Sequence, residues 1–230
     1  MTATPIKVMT SLATREFLVQ YLAQYQETSG QAIACENAGG VEIARRARAD
    51  EVFDVVVLAS AVIDALQAEG KLVAGSKVDV VKSSAAIAVP AGAARPDIGT
   101  EEALKRAILA APSVCYSTGP SGVYLESLFA RWGIADAIKA KLVVAPAGVP
   151  VGSLLAAGKA ALGFQQLSEL IHLAGIEVIG PLPATIQLIT TFSAGISPTC
   201  RQIGAAQKLL AGMASASAAA TKRKHGLEPA

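Results

Sequence analysis

Between Ile6 and Leu58 three short apolar runs, Ile6–Met9, Gln31–Cys35 and Val52–Leu58, alternate with two stretches of helical periodicity. In Arg15–Thr28 the apolar residues Phe17, Leu18, Tyr21, Leu22 and Tyr25 recur at spacings of three and four, and Gly30 supplies the stop. The second stretch, Val41–Ala49, follows the Gly39-Gly40 loop. The third run is β-branched and predicts a strand buried on both faces. Strand, helix, strand, helix, strand at these lengths predicts βαβ units around a parallel sheet.

The unit repeats toward the C-terminus. A helix over Ala61–Glu69 closes at Gly70, and strands are expected at Val78–Ser83 and Ala85–Pro90. Thr100 caps a helix through Ala110, with Glu101 and Glu102 in the first turn, where carboxylates suit the dipole. Strands at Ser113–Ser117, Lys141–Val144, Ala161–Gln165, Glu177–Gly180 and Ile186–Ser193 follow, together with a helix from the loop Thr118–Gly122 to Trp132 and shorter ones at Val151–Ala157 and Ser168–His172. Ser197-Pro198 is expected to cap a last long helix, Pro198–Ala219, with Pro at its first position. The charged tail Thr221–Ala230 is expected to fray and to leave His225 solvated. No internal repeat of solenoid length appears.

With 230 residues, the chain suits one large domain or two lobes of roughly 100 residues each. It is 52% hydrophobic, yet its longest apolar stretches, such as Val52–Val62 and Ala85–Ala94, fall short of the ~18–20 residues of a membrane span. A net charge of +2 gives no bulk attraction to nucleic acid. Cys35, Cys115 and Cys200 are odd in number and far apart, so three buried thiols are expected rather than disulfides or a zinc site. The opening Met1–Ser11 has no basic and apolar leader pattern, so as written nothing exports the chain. No cofactor and no metal are expected.

P-loop, GxGxxG, HExxH and GxSxG signatures are absent, and with two histidines, His172 and His225, a Ser-His-Asp machine has too few parts. What the sequence offers instead is small residues where strands lead into helices: Ser11, Gly39-Gly40, Ser117–Gly122 and Gly148–Gly152. A helix start leaves backbone N–H groups without partners and concentrates positive partial charge, so an anion can settle there. Each such residue alone reads as a cap or a turn. Four together point to an anion cleft at the carboxyl ends of the strands.

Ile6-Lys7-Val8-Met9-Thr10-Ser11-Leu12, Tyr25 to Gly30, Ala44-Arg45, Phe53–Val57, Pro120-Ser121-Gly122-Val123-Tyr124, Gly163–Ser168 and His225-Gly226-Leu227 together resemble the periplasmic molybdate-binding proteins over nearly the whole chain. The resemblance implies the type II periplasmic-binding-protein fold, an α/β fold of two lobes with mainly parallel sheets, flanking helices and a hinged cleft. Lobe one is then expected over residues 1–82 and 188–230, lobe two over 83–187. It implies ligand contacts from Ser11, Gly39, Gly40, Ser121, Gly122, Val151 and Gln166, with no catalytic residue. Pro150, beside Val151, has no N–H to give. Gly39 stands where the family has a second ligand serine and Gln166 where it has a tyrosine, which opens the ligand class beyond molybdate. The implied role is a monomeric solute receptor for a small anion, molybdate-like or carboxylate, feeding a membrane permease of an ABC transporter from the periplasm. The unexported opening segment leaves a cytoplasmic location open.

Some aconitate isomerases resemble the same family, and they supply the alternative. Moving a double bond in a polycarboxylate requires a carboxylate clamp and a proton carrier. Arg15, Arg45 and Arg46 are the candidate clamps, and Glu36, Tyr124 and His172 the candidate acid/base groups.

Overall fold

The computed structural model describes residues 4–230; Met1–Ala3, which open the expected lobe one and the segment read for export, lie outside the described residues. In chain order the elements are β1 (Ile6–Ser11), α1 (Arg15–Ser29), β2 (Ile33–Ala38), α2 (Gly40–Arg48), β3 (Val55–Ala59), α3 (Ser60–Ala68) and β4 (Val78–Pro90). Next come α4 (Glu101–Ala110), β5 (Val114–Tyr116), α5 (Pro120–Arg131), α6 (Ala135–Ile138), β6 (Leu142–Val144), α7 (Val151–Ala156), β7 (Leu162–Gln166) and α8 (Leu167–Leu170). Last are β8 (Ile176–Pro181), β9 (Ile189–Ile196), α9 (Ile203–Ala214), α10 (Ala219–Lys224) and β10 (Glu228–Pro229). The chain forms two compact units, one from the described residues up to Ser83 with Thr190–Ala230, the other from Ser84–Ile189.

In the first unit β2, β1 and β3 are parallel neighbours, followed by β9, antiparallel to β3, and then β4. The period of two along β3 divides its side chains between two cores. Val55 and Val57 meet Phe17, Leu18 and Leu22 of α1 and Leu209, Leu210 and Met213 of α9 on one face. Val56 and Leu58 meet Ile43 and Ala47 of α2 and Ile63 and Leu66 of α3 on the other. Gly30 ends α1 with φ 69°, a conformation open to a residue without Cβ.

In the second unit β6, β5 and β7 are parallel, and β4 runs antiparallel to both β7 and β8. Val114 and Tyr116 of β5 pack with Leu104, Ile108, Leu125 and Phe129, whereas Cys115 faces Val151 and Leu155. The sheets are thus parallel where helices cross over, and antiparallel at β4, β9 and the strands paired with them.

Four sequence expectations need correction. The strands expected at Val78–Ser83 and Ala85–Pro90 are one, β4. The last helix begins at Ile203 rather than Pro198, because Ser197 turns the chain: its Oγ accepts from Thr199 N at 3.2 Å and its carbonyl from Cys200 N at 3.1 Å. That helix stops at Ala214, where Ser215 takes extended backbone and donates its Oγ to the Gly212 carbonyl at 2.7 Å. The tail does not fray. β10 pairs with β4 at Glu228–Lys82 and Pro229–Val81, Leu227 is in the core, and buried His225 sets Nε2 2.9 Å from Gln20 Oε1. Cys115 and Cys200 are buried and free, but Cys35 is only half-buried.

Lys222 of α10 is fully buried, and its Nζ has no hydrogen-bond partner among the described residues. The ammonium lies 6.0 Å from the centroid of the Phe17 ring, at the outer reach of a cation–π contact. Burial without a partner disfavours the charged form and pulls the lysine pKa below its ordinary value. The folded state therefore holds fewer protons than the unfolded one just below the usual lysine range, and stability rises with pH through that window. Lys222→Met, similar in volume and without the amine, is expected to stabilise the fold by about 1–3 kcal/mol at pH 7 and to abolish that alkaline rise. Thermal unfolding between pH 7 and 10.5 measures both.

Candidate functional site

Parallel pairing of β1 with β2 sets Ser11 opposite Ala38, so both strands release the chain at one edge. Beyond Ser11 the backbone enters a 3-10 turn over Leu12–Thr14 and then α1; beyond Ala38, Gly39 caps α2 and Gly40 is its first residue. Ile43 N donates to Gly39 O at 3.0 Å, closing the first turn. Helix geometry leaves the N–H groups of Gly40, Val41 and Glu42 without intrahelical acceptors. Ser11 is 6% exposed, and its Oγ has no hydrogen-bond partner among the described residues. A Cβ on Gly40 would stand 3.6 Å from Ser11 Cβ. The first unit thus brings Ser11, Gly39 and Gly40 together: a buried hydroxyl lies against the positive end of a nine-residue helix.

The second unit places Ser121 and Gly122 in the first turn of α5, both buried. Gly122 N donates to Gly119 O at 3.0 Å. A Cβ on Gly122 would fall 1.6 Å from the Ser117 carbonyl oxygen, so close packing of the loop on the helix demands a glycine there. Val151 N, at the start of α7, donates to Gln165 Oε1 at 2.8 Å, and Gln165 Nε2 donates to Glu169 Oε2 at 2.6 Å. Two amides that the sequence reading offers to a ligand are therefore engaged within the unit. Gln166 ends β7 and is buried. The bond from Val151 to Gln165 ties α7 to the end of β7, and α5 packs on the same strand. Glu169 escaped the sequence reading. Its signal was the four-residue spacing from Gln165 across the junction of β7 with α8.

The candidate clamps are paired with carboxylates of this chain. Arg15 Nε binds Glu16 at 2.8 Å, Arg45 makes a two-pronged bond to Glu42 at 2.8 and 2.7 Å, and Arg46 binds Glu36 at 2.7 Å and also Glu51. The Arg45 and Arg46 guanidiniums hold the Glu42 and Glu51 carboxyls below the usual carboxylate range. Tyr124 OH donates to the Ile186 carbonyl at 2.9 Å, and His172 is exposed. No group of three or more His, Cys, Asp and Glu residues among the described residues could hold a metal ion. No helix among them is long and apolar enough to cross a membrane.

The family described as bacterial extracellular solute-binding protein matches residues 6–228. An aconitate isomerase from a Pseudomonas species is 39% identical over 188 residues, covering 81% of this chain and 71% of that protein. Among solved structures, the periplasmic molybdate-binding protein of Azotobacter vinelandii superposes with a TM-score of 0.79 at 20% identity, covering 96% of this chain and 98% of its own. A binding protein from A. tumefaciens R10 in complex with agropinic acid reaches 0.74 at 13% identity, covering 99% and 84%. These structures establish the periplasmic-binding-protein fold.

The space at Gly122 gives a direct check on the geometry of the α5 start. Gly122→Ala is expected to cost about 3 kcal/mol or more, lowering the unfolding midpoint by roughly 6–12 °C at this chain length. Differential scanning calorimetry reads it.

Proposed function

Because the chain belongs to the bacterial extracellular solute-binding protein family, we propose that it captures a small anion, an oxyanion or a small carboxylate, at the helix start beside Ser11. In this reading it serves as the receptor of an ABC transporter, acting outside the cytoplasm and handing its ligand to a membrane permease. The observation that carries the proposal is the Ser11 hydroxyl. A buried donor left unmatched costs about 1–3 kcal/mol, and this one lies beside a helix start whose amides also want an acceptor. An anion satisfies both at once. The paired arginines leave the first contact to neutral donors, which hold an anion without fixing a second full charge beside it.

A second reading is favoured by the Pseudomonas aconitate isomerase, 39% identical to this chain. There the bound polycarboxylate would lose a proton at one carbon and regain one at another. Glu36, Tyr124 and His172 are the candidate carriers. Glu36 is ion-paired with Arg46 and Tyr124 is hydrogen-bonded to a carbonyl, so either of these two would have to exchange partners when the substrate binds.

Thermal unfolding against molybdate, tungstate, sulfate, phosphate, citrate and both aconitate isomers tests the proposal. A ligand at a hundred times its Kd adds about 2.7 kcal/mol and moves the midpoint by several degrees. Ser11→Ala is expected to weaken binding by about 1–3 kcal/mol, measured by titration calorimetry. Unchanged affinity in that variant would remove the site from this helix start. Interconversion of the aconitates followed by proton NMR would establish the enzyme, and binding without conversion the receptor.

A further inference from the structure

Gly40 has none of the usual reasons to be glycine. Its φ is outside the left-handed region, unlike that of Gly30 or Gly70. A Cβ built on it meets Ser11 Cβ at 3.6 Å and Leu58 Cδ2 at 3.8 Å, ordinary contacts, whereas a Cβ on Gly122 would overlap a carbonyl. Glycine also disfavours a helix relative to alanine. Backbone conformation and packing excluded, what a missing side chain supplies is close approach of a ligand to the backbone. The position fits that use, next to the unpartnered, nine-tenths buried Ser11 Oγ and at the amide end of α2.

The next residue points to the kind of ligand. Ile43, Ala44 and Ala47 bury the apolar face of α2, but Val41 is 62% exposed within the same first turn. A tetrahedral inorganic oxyanion has no apolar surface to lay against it. An organic carboxylate does, since its carbon skeleton follows wherever the carboxylate binds. We infer that Gly40 is a specificity-determining residue, clearing room beside Ser11 for an organic carboxylate whose carbon atoms lie against Val41. The inference rests on the proposed anion site at Ser11 and narrows its ligand class.

The test uses the full chain, with trans-aconitate, citrate, molybdate and sulfate as probes in titration calorimetry. Wild type is expected to bind at least one of the two carboxylates more tightly than either inorganic anion. Gly40→Ala is expected to weaken that carboxylate at least tenfold while the ligand-free unfolding midpoint holds or rises. Val41→Ser, at an exposed position, is expected to weaken it threefold or more. Carboxylate affinity within twofold of wild type in Gly40→Ala overturns the inference. So does a wild type that binds only the inorganic anions, or none of the four probes. Ser11→Ala separates the two levels. If it abolishes molybdate binding in a protein that refuses carboxylates, the anion site stands and the organic ligand class falls. If it leaves carboxylate binding intact, the site at Ser11 falls and takes this inference with it.

Discussion

The register of one parallel strand pair governs the first unit. Six consecutive pairs, from Ile6 with Ile33 to Ser11 with Ala38, keep β1 and β2 level to their ends. Both exits therefore open on one edge, and the helix starts that follow collect there. A slip of one residue would turn every side chain of β1 to the opposite face, withdrawing Ser11 from the start of α2. The register is held because β1 is buried on both sides, Val8 packing into one core and Met9 into the other. Hydrophobic burial fixes the strand, and the strand fixes the hydroxyl.

Helix α2 pairs its full charges. Its C-terminal half carries Arg45, Arg46 and Arg48, where cations suit the helix dipole, and each is paired with a carboxylate from α2 itself, from β2 or from the segments that follow α2 and α3. These exposed pairs contribute little stability individually. Their effect is to keep full charges matched along α2, the Glu42 carboxylate of its first turn included. A ligand bound at the proposed site by backbone amides and a hydroxyl would leave without breaking an ion pair.

Periodicity made the framework legible. The three-and-four spacing of Phe17, Leu18, Leu22 and the β-branched run before Leu58 correspond to α1 and β3. Where reading failed, local chemistry had two outlets. The strands expected at Val78–Ser83 and Ala85–Pro90 part at Ser84, yet β4 continues through it, because ladder hydrogen bonds use backbone whatever the side chains are. Pro198 suits a first helical position, but the Ser197 hydroxyl and carbonyl take the neighbouring N–H groups for a turn. Lys222 belongs to the tail expected to fray, yet it is fully buried. At the candidate site, the placement of Ser11 and of the glycines at strand ends is legible from sequence. That Val151 has already given its amide to Gln165 is not, since that partner is set by tertiary packing.

The way the chain divides between its units also orders its biosynthesis. The second unit is one uninterrupted stretch, Ser84–Ile189, and has all its strands as soon as that stretch leaves the ribosome. The first unit must wait. Its sheet lacks β9 until Ile196 emerges, its core lacks α9, and the flank of β4 gains β10 only with Glu228 and Pro229. Domains generally fold as units during synthesis, so the segment before Ser84, although made ahead of the second unit, is completed after it. Ser11 and the start of α2 reach their final setting only once the returning segment from Thr190 has been made.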